Sequence, residues 1–217
     1  DYSHRQKPLS SILVKPAGPD CNMACTYCFY LEKSKLFSGV NTHRMSDEIM
    51  EEMIRQALTY GEQKVSFAWQ GGEPTLIGLQ FFEKVVRAQH DTDMLRVLET
   101  AFKQTAFDQQ TRARFLKKYS FLVGLSLDGP KHIHDHYCRL RNGKGSWALV
   151  VDRAKLLLDS GVEVNALTVL NDYSVGFPDE IYQYHKSLGL NYMQFIPCVE
   201  TDPKNPTRAA EWKLQNE

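Results

Sequence analysis

The feature of this 217-residue sequence that most constrains its fold and chemistry is a loop with three cysteines. Cys21, Cys25 and Cys28 are separated by three and then two residues, directly after a short apolar stretch, 12–14, that is typical of a β-strand. Thiolates this close together are ligands of zinc or of an iron–sulfur cluster, and both usually take four protein ligands. The next cysteine in the chain is Cys138. We therefore expect one metal centre with an open position, an iron–sulfur cluster, with a structural zinc knuckle or an inert group of buried thiols as the alternative.

The composition limits the function classes. The chain has 26 Lys and Arg against 26 Asp and Glu, so no net field attracts nucleic acid or an anionic membrane. No apolar run is long enough to cross a bilayer, and the polar N-terminal stretch is not followed by the apolar core of a signal peptide. With five cysteines that do not form a disulfide framework, the sequence predicts a cytoplasmic protein without nucleic-acid or membrane partners.

Hydrophobic periodicity predicts strands that alternate with helices. Ser46 is a candidate N-cap for a helix that runs up to Gly61, with an inward face formed by Ile49, Met50, Met53, Ile54, Ala57 and Leu58. Six strands are predicted over 12–14, 65–69, 96–104, 121–127, 162–169 and 192–196, and further helices over 79–89, 109–119, 147–159 and 178–188. This alternation indicates an α/β fold in which right-handed crossovers build a parallel sheet, an open six-unit barrel. Ligands of such barrels bind at the carboxyl ends of the strands.

Three of the loops at those ends carry a family resemblance. The segments are Cys25-Thr26-Tyr27-Cys28-Phe29-Tyr30, Gln70-Gly71-Gly72-Glu73-Pro74-Thr75-Leu76 and Leu125-Ser126-Leu127-Asp128-Gly129-Pro130. The cysteine spacing resembles the signature of the radical S-adenosylmethionine (SAM) superfamily, and the three segments together resemble the anaerobic sulfatase-maturating enzymes, which are SPASM-type peptide maturases. The resemblance implies an open partial (β/α)6 TIM-like radical SAM barrel over 1–200. It also implies that 201–217 begin a linker toward a C-terminal auxiliary-cluster domain that this chain lacks.

The resemblance implies cofactors and an activity. Cys21, Cys25 and Cys28 would hold a [4Fe–4S] cluster whose open iron binds SAM, and reductive cleavage of SAM would give a 5′-deoxyadenosyl radical. That radical would take a hydrogen from Cβ of a Cys or Ser in a sulfatase Cys/Ser-x-Pro-x-Arg motif, and the product would be Cα-formylglycine. Two auxiliary [4Fe–4S] clusters and the catalytic base would lie in the missing region, so no catalytic residue is expected in this chain. A flavodoxin or ferredoxin would supply electrons.

The resemblance also implies binding residues. The expected SAM contacts are Tyr27, Gly72, Glu73, Ser126, Asp128, Arg139 and Val199, and the expected substrate contacts are Tyr30 and Gln70. Tyr27 and Val199 also fit a role in the core, and 70–74 and 128–130 also fit ordinary turns. His132, His134 and His136 alternate and suggest a second metal, but they more readily form a helix, where a spacing of two places them on different faces.

Two positions depart from the family pattern. The SAM-contacting Arg expected three residues after Asp135 is Cys138 here, and Arg139 comes one place later. The family's Gln-Thr-Asn-Gly turn after the third strand is replaced at 101–108, which we interpret as a local reading-frame slip that resequencing would reveal. Two other functions stay open: a maturase that crosslinks or epimerises a ribosomal peptide, and a non-catalytic iron–sulfur electron-transfer module.

Overall fold

A computed structural model describes residues 8–28, 30–33, 42–89, 96–100, 109–199, 201–202 and 205–209. The strands are β1 (Leu9–Val14), β2 (Gly61–Trp69), β3 (Arg96–Thr100), β4 (Phe121–Ser126), β5 (Glu163–Leu170), β6 (Tyr192–Pro197), β7 (Thr201–Asp202) and β8 (Asn205–Ala209). The helices are α1 (Tyr30–Lys33), α2 (Asp47–Tyr60), α3 (Leu79–Ala88), α4 (Gln109–Lys118), α5 (Lys131–Tyr137), α6 (Trp147–Asp159) and α7 (Pro178–Ser187). Each predicted strand and helix is present.

Strands β1 to β6 form one sheet in chain order, and each neighbouring pair is parallel. A parallel connection needs a crossover, and helices α2 to α7 supply it. Within the described residues, β1 and β6 are the two edges of this sheet. The predicted open partial barrel is confirmed, and the carboxyl ends of all six strands lie at the same edge of the sheet.

Helix α2 begins and buries its apolar face largely as predicted. The Ser46 side chain accepts a hydrogen bond from the backbone N–H of Ile49, as an N-cap does. Met50, Ile54 and Ala57 are fully buried. The prediction was wrong for Ile49 and Leu58, which are 59% and 36% exposed, because the buried stripe is narrower than the run of apolar residues.

Aromatic rings fill the core between the first half of the sheet and its helices. Trp69 on β2 meets Phe81 and Phe82 of α3 edge-on, with ring centroids 5.7 Å apart in both pairs. Phe82 in turn meets Phe121 of β4. Edge-to-face contacts of this kind add to the stability that burial alone gives. They fix the carboxyl end of β2, from which one of the predicted functional loops begins, and the start of β4.

The sequence missed some elements, and one prediction lies outside the description. It did not predict α1 or the two-stranded antiparallel sheet of β7 and β8, which falls within the stretch expected to begin a linker. The departure at 101–108 lies outside the described residues. Among the residues described, none of the helices is long and apolar enough to cross a membrane.

Candidate functional site

The predicted functional loops come together at the carboxyl edge of the sheet. The cysteine loop follows β1, the Gly71-Gly72 loop follows β2, and Asp128 follows β4. The contacts between these loops are mostly backbone hydrogen bonds, so the position of the cysteine loop depends on two other segments of the chain.

The loop after β2 holds one side of the cysteine loop. Gly72 N–H donates to the Gly18 carbonyl over 3.0 Å, and Glu73 N–H donates to the Asp20 carbonyl over 2.7 Å. A Cβ on Gly72 would lie 2.2 Å from the Asp20 carbonyl oxygen, which no real side chain tolerates. The sequence predicted that this glycine lets the backbone approach a ligand, and the structure shows a close approach to the cysteine loop itself.

The segment after α5 holds the other side. Residues 23–26 run antiparallel to 137–140: Ala24 N–H donates to the Arg139 carbonyl (2.8 Å), and Thr26 N–H to the Tyr137 carbonyl (2.9 Å). The Arg141 side chain adds a hydrogen bond from Nε to the Cys21 carbonyl, 2.7 Å long. The cysteine loop is therefore fixed along its length by partners distant in the chain.

The three cysteines have the state that a metal centre needs. Cys21, Cys25 and Cys28 are all partly exposed, and none is in a disulfide. A turn closed by the hydrogen bond from Cys28 N–H to the Cys25 carbonyl separates the last two. Three thiols on one anchored loop fit an iron–sulfur cluster with three protein ligands, because clusters take cysteine thiolates.

A partly buried hydrogen-bond network lies next to Cys25. The Tyr27 hydroxyl donates to Asp128 Oδ2 over 2.7 Å and lies 2.9 Å from Cys138 Sγ. Asp128 Oδ1 accepts from the Val169 N–H over 2.9 Å, which ties the end of β4 to β5. Burial first, and then the Asp128 charge, raise the pKa of the Tyr27 phenol well above its ordinary value. The phenol therefore stays protonated and is the donor in its hydrogen bond to Asp128.

Burial likewise raises the pKa of the Cys138 thiol well above its ordinary value, helped by a hydrogen bond to Cys25 and by the Asp128 charge. The side chain is 2% exposed. Cys138 is therefore a neutral, buried thiol in contact with one of the three expected cluster ligands.

Asp128, His134 and Cys138 place one ligand atom each within 4.8 Å of one another, which invites a second metal. Their atoms already have hydrogen-bond partners: His134 Nδ1 accepts from the Asp128 N–H (3.2 Å), and Nε2 lies 3.0 Å from Ser146 Oγ. Because Ser146 Oγ donates to the Cys138 carbonyl, His134 donates from Nε2. We assign this group to the support of the site. His132, His134 and His136 lie on helix α5, as the sequence favoured.

The remaining predicted site residues differ in exposure. Glu73 is fully buried, and its Oε1 accepts hydrogen bonds from the backbone and hydroxyl of Thr75. Ser126 is partly buried at the end of β4, whereas Val199 after β6 is 68% exposed. The Arg139 side chain is exposed, and its Nη1 donates to the Gly143 carbonyl over 3.4 Å.

Two residues expected to face the substrate lie at the same edge. Gln70 is partly buried and its N–H donates to the Val14 carbonyl at the end of β1. Tyr30 begins α1, and Lys15 Nζ lies 5.0 Å from the centre of its ring. These two positions stay predictions, as do the SAM contacts.

Sequence reasoning missed several residues that build the site. Asp20 accepts hydrogen bonds from His43 and Arg44, and although its partial burial acts to raise the pKa of its carboxyl, these bonds hold that pKa below its ordinary value. Asp135 Oδ1 accepts from the N–H groups of Ser146 and Trp147 at the start of α6. The signal for Arg141 was present in its position just after the predicted histidine helix, but its partner is 120 residues away.

Comparison with known proteins identifies the family to which this arrangement belongs. The model of the radical SAM superfamily matches residues 16–187. The chain is 36% identical over 200 residues to a cysteine-type anaerobic sulfatase-maturating enzyme of Clostridium novyi (strain NT), covering 91% of this chain and 53% of that protein. It is 35% identical over 201 residues to a serine-type enzyme of the same name from Bacteroides thetaiotaomicron, covering 92% of this chain and 48% of the relative.

A solved structure supports the same likeness. Native anSMEcpe with bound AdoMet and Kp18Cys peptide superposes with a TM-score of 0.81 at 34% identity, over 96% of this chain and 56% of that one. The chain thus spans about half the length of the curated relatives it matches. With three cysteine thiols outside any disulfide on an anchored loop at the carboxyl edge of a six-stranded parallel sheet, and a family model that matches residues 16–187, the chain belongs to the radical SAM superfamily.

Proposed function

We propose that this chain is the radical-forming part of an anaerobic sulfatase-maturating enzyme. The observation that carries the proposal is the anchored cysteine loop, whose three thiols, none in a disulfide, would leave a cluster one protein ligand short. The named relatives at 35–36% identity support the substrate class. When bound, a [4Fe–4S] cluster would supply the electron that cleaves SAM to a 5′-deoxyadenosyl radical.

The chain's own residues would have three tasks. Cys21, Cys25 and Cys28 would hold the cluster, and Gly72 and Arg141 would keep the cysteine loop in place through hydrogen bonds to the Gly18 and Cys21 carbonyls. Tyr27, whose phenol keeps its proton, and the buried Asp128 would form a floor that excludes water from the side of Cys25. A reactive radical requires such exclusion.

The SAM contacts are also part of the proposal. The candidates differ in the internal contacts that they already make; they are Tyr27, Gly72, Glu73, Ser126, Asp128, Arg139 and Val199. Asp128 and Glu73 use their carboxylates in internal hydrogen bonds, so loss of either would disturb the loops first. Arg139 is exposed, so Arg139→Met tests SAM binding without removing a buried partner. We expect weaker SAM binding by reconstituted Arg139→Met with unchanged iron content; unchanged SAM affinity would remove Arg139 from the site.

The substrate would be a sulfatase polypeptide with a Cys/Ser-x-Pro-x-Arg motif, which Tyr30 and Gln70 would contact. A reduced flavodoxin or ferredoxin would be the electron donor, and the cytoplasm the location. Conversion to Cα-formylglycine would also use the two auxiliary [4Fe–4S] clusters and the base of the longer enzyme, so the test on this chain is the hydrogen transfer alone.

The experiment uses the chain reconstituted with iron and sulfide without oxygen, then given a reductant, SAM and a peptide with a Cβ-deuterated Cys in a Cys-x-Pro-x-Arg motif. We expect 5′-deoxyadenosine that carries deuterium. The matched control peptide has Ala in place of the Cys. Deoxyadenosine without deuterium would remove the sulfatase assignment and favour a maturase of another peptide, whereas no deoxyadenosine would contradict the radical chemistry itself.

A further inference from the structure

We propose that Cys25 and Cys138 form a reversible disulfide when the cysteine loop carries no cluster, so that Cys138 is an alternative partner for one of the three cluster ligands. The inference concerns the chain's own thiols and does not depend on the sulfatase substrate.

The backbone places the two cysteines opposite each other. Met23 bridges Leu140 in an antiparallel sense, Ala24 N–H bonds to the Arg139 carbonyl, and Thr26 N–H bonds to the Tyr137 carbonyl. Continuing that register pairs residue 25 with residue 138. No other cysteine of 21–28 lies within the paired stretch 23–26.

The pair occupies a position that suits a disulfide. The hydrogen bonds donated by Ala24 and Thr26 lie on either side of Cys25, and their acceptors, the Arg139 and Tyr137 carbonyls, lie on either side of Cys138. Residues directly opposite each other on antiparallel segments have Cα atoms about 4.5–5.5 Å apart, within the range of about 4.4–6.8 Å that disulfides span. Cys138 Sγ also lies 2.9 Å from the hydroxyl of Tyr27, which is two residues after Cys25.

The two thiols differ in access, which sets the order of the chemistry. Cys25 is partly exposed and Cys138 is buried beneath it. The oxidant we name is a low-molecular-weight disulfide. The Cys25 thiolate attacks it to form a mixed disulfide and release one small thiol. The Cys138 thiol then attacks the Cys25 sulfur and releases the second small thiol, to which the proton of Cys138 passes. Two protein thiols are oxidised, and one small disulfide is reduced to two thiols.

The consequence concerns cluster assembly. Cys25 in a disulfide is no longer a thiolate ligand, so only Cys21 and Cys28 remain for the cluster. Oxidation would thus hold the empty loop in a reversible state, since a disulfide returns to two thiols on reduction while higher oxidation of a cysteine does not.

The test is made on the cluster-free chain, treated with oxidised glutathione, quenched with acid, then unfolded and alkylated. We expect a mass lower than that of the reduced chain by two hydrogen atoms, and a digest in which the peptide with Cys25 is joined to the peptide with Cys138. Reconstitution of the oxidised chain without a reducing thiol should lose most of its iron uptake, and dithiothreitol should restore it.

Two variants sharpen the result. Cys198→Ser removes the other buried cysteine and should leave the disulfide unchanged, while Cys138→Ser should abolish it and make iron uptake insensitive to glutathione pretreatment. The proposal is overturned if Cys138 in the oxidised wild-type chain is fully alkylated, or if Cys25 is joined to Cys21 or Cys28. Because the linkage is read on the wild-type chain, a folding defect in a variant does not decide the outcome.

Discussion

At the scale of single residues, the site is built from close contacts that leave no room for change. Gly72 is the clearest case, because its missing side chain lets two loops share backbone hydrogen bonds. Its task is therefore geometric, whatever it also does for a bound ligand.

Gly72→Ala should destabilise the chain and lower the amount of iron that the cysteine loop binds. A methyl group 2.2 Å from the Asp20 carbonyl oxygen must push the cysteine loop away. Overpacking of this kind costs on the order of 1–3 kcal/mol. Urea unfolding and iron content after anaerobic reconstitution measure the two effects. Gly176→Ala is the matched control, because a Cβ there meets nothing within 4 Å; equal iron content in both variants would contradict the role of Gly72.

A buried histidine predicts how stability depends on pH. His185 is fully buried on α7, with Nε2 2.9 Å from Thr168 Oγ1, and burial, followed by the nearby His134, lowers its pKa to about 4. The folded chain therefore keeps His185 neutral while the unfolded chain protonates it below about pH 6.5. This contribution to stability is complete above that pH and is lost as the pH falls toward 4, by on the order of 2–3 kcal/mol.

His185→Gln should flatten the dependence of the unfolding free energy on pH between 6.5 and 4. The variant is expected to be less stable than the wild type at pH 7, with a smaller difference at pH 4. Urea denaturation at a series of pH values measures this, with the exposed His136→Gln as the control. A variant curve as steep as that of the wild type would refute the assignment.

At the scale of elements, short segments after the strands connect the site to the helices around it. Asp135 on α5 accepts hydrogen bonds from two N–H groups at the start of α6. An N-cap residue usually has this role for the helix that it begins, whereas Asp135 belongs to the preceding helix. The helix that follows packs Val150, Ala154 and Leu157 into the core. Asp135 therefore joins the support of the cysteine loop to the packing of the sheet.

Asp135→Ala should lower the free energy of unfolding by about 1–2 kcal/mol, since it leaves two N–H groups without their acceptor. Asp152→Ala, an exposed position on α6, is the control and should change stability little. Chemical denaturation of the three proteins decides between them. If both variants unfold alike, Asp135 does not cap α6.

The elements also show how far the sequence could predict this molecule. The strands and helices were predictable because the apolar residues of β4 and α6 follow the expected periods, and the three cysteines because their spacing leaves few alternatives. The contacts of Arg141 with Cys21 and of Asp20 with Glu73 were not, because they depend on how distant loops meet. For the same reason Ile49, apolar and in the right period, lies outside the buried stripe.

At the scale of the whole molecule, six parallel strands bring the loops that follow them to one edge, and the family match runs from the loop after β1 to the end of α7. Because the numbers of acidic and basic residues are equal, local charged groups rather than an overall net charge determine the electrostatics of the site. The central claim is that three cysteines hold a cluster with an open iron that SAM reaches.

The most direct test is electron paramagnetic resonance of the chain reconstituted and reduced without oxygen, recorded before and after addition of SAM. The account predicts iron and sulfide bound in amounts near those of a [4Fe–4S] cluster, with a signal that changes when SAM is added. It also predicts loss of that cluster in Cys21→Ala, while Cys198→Ala keeps it. Bound zinc, or an iron signal that SAM leaves unchanged, would contradict it.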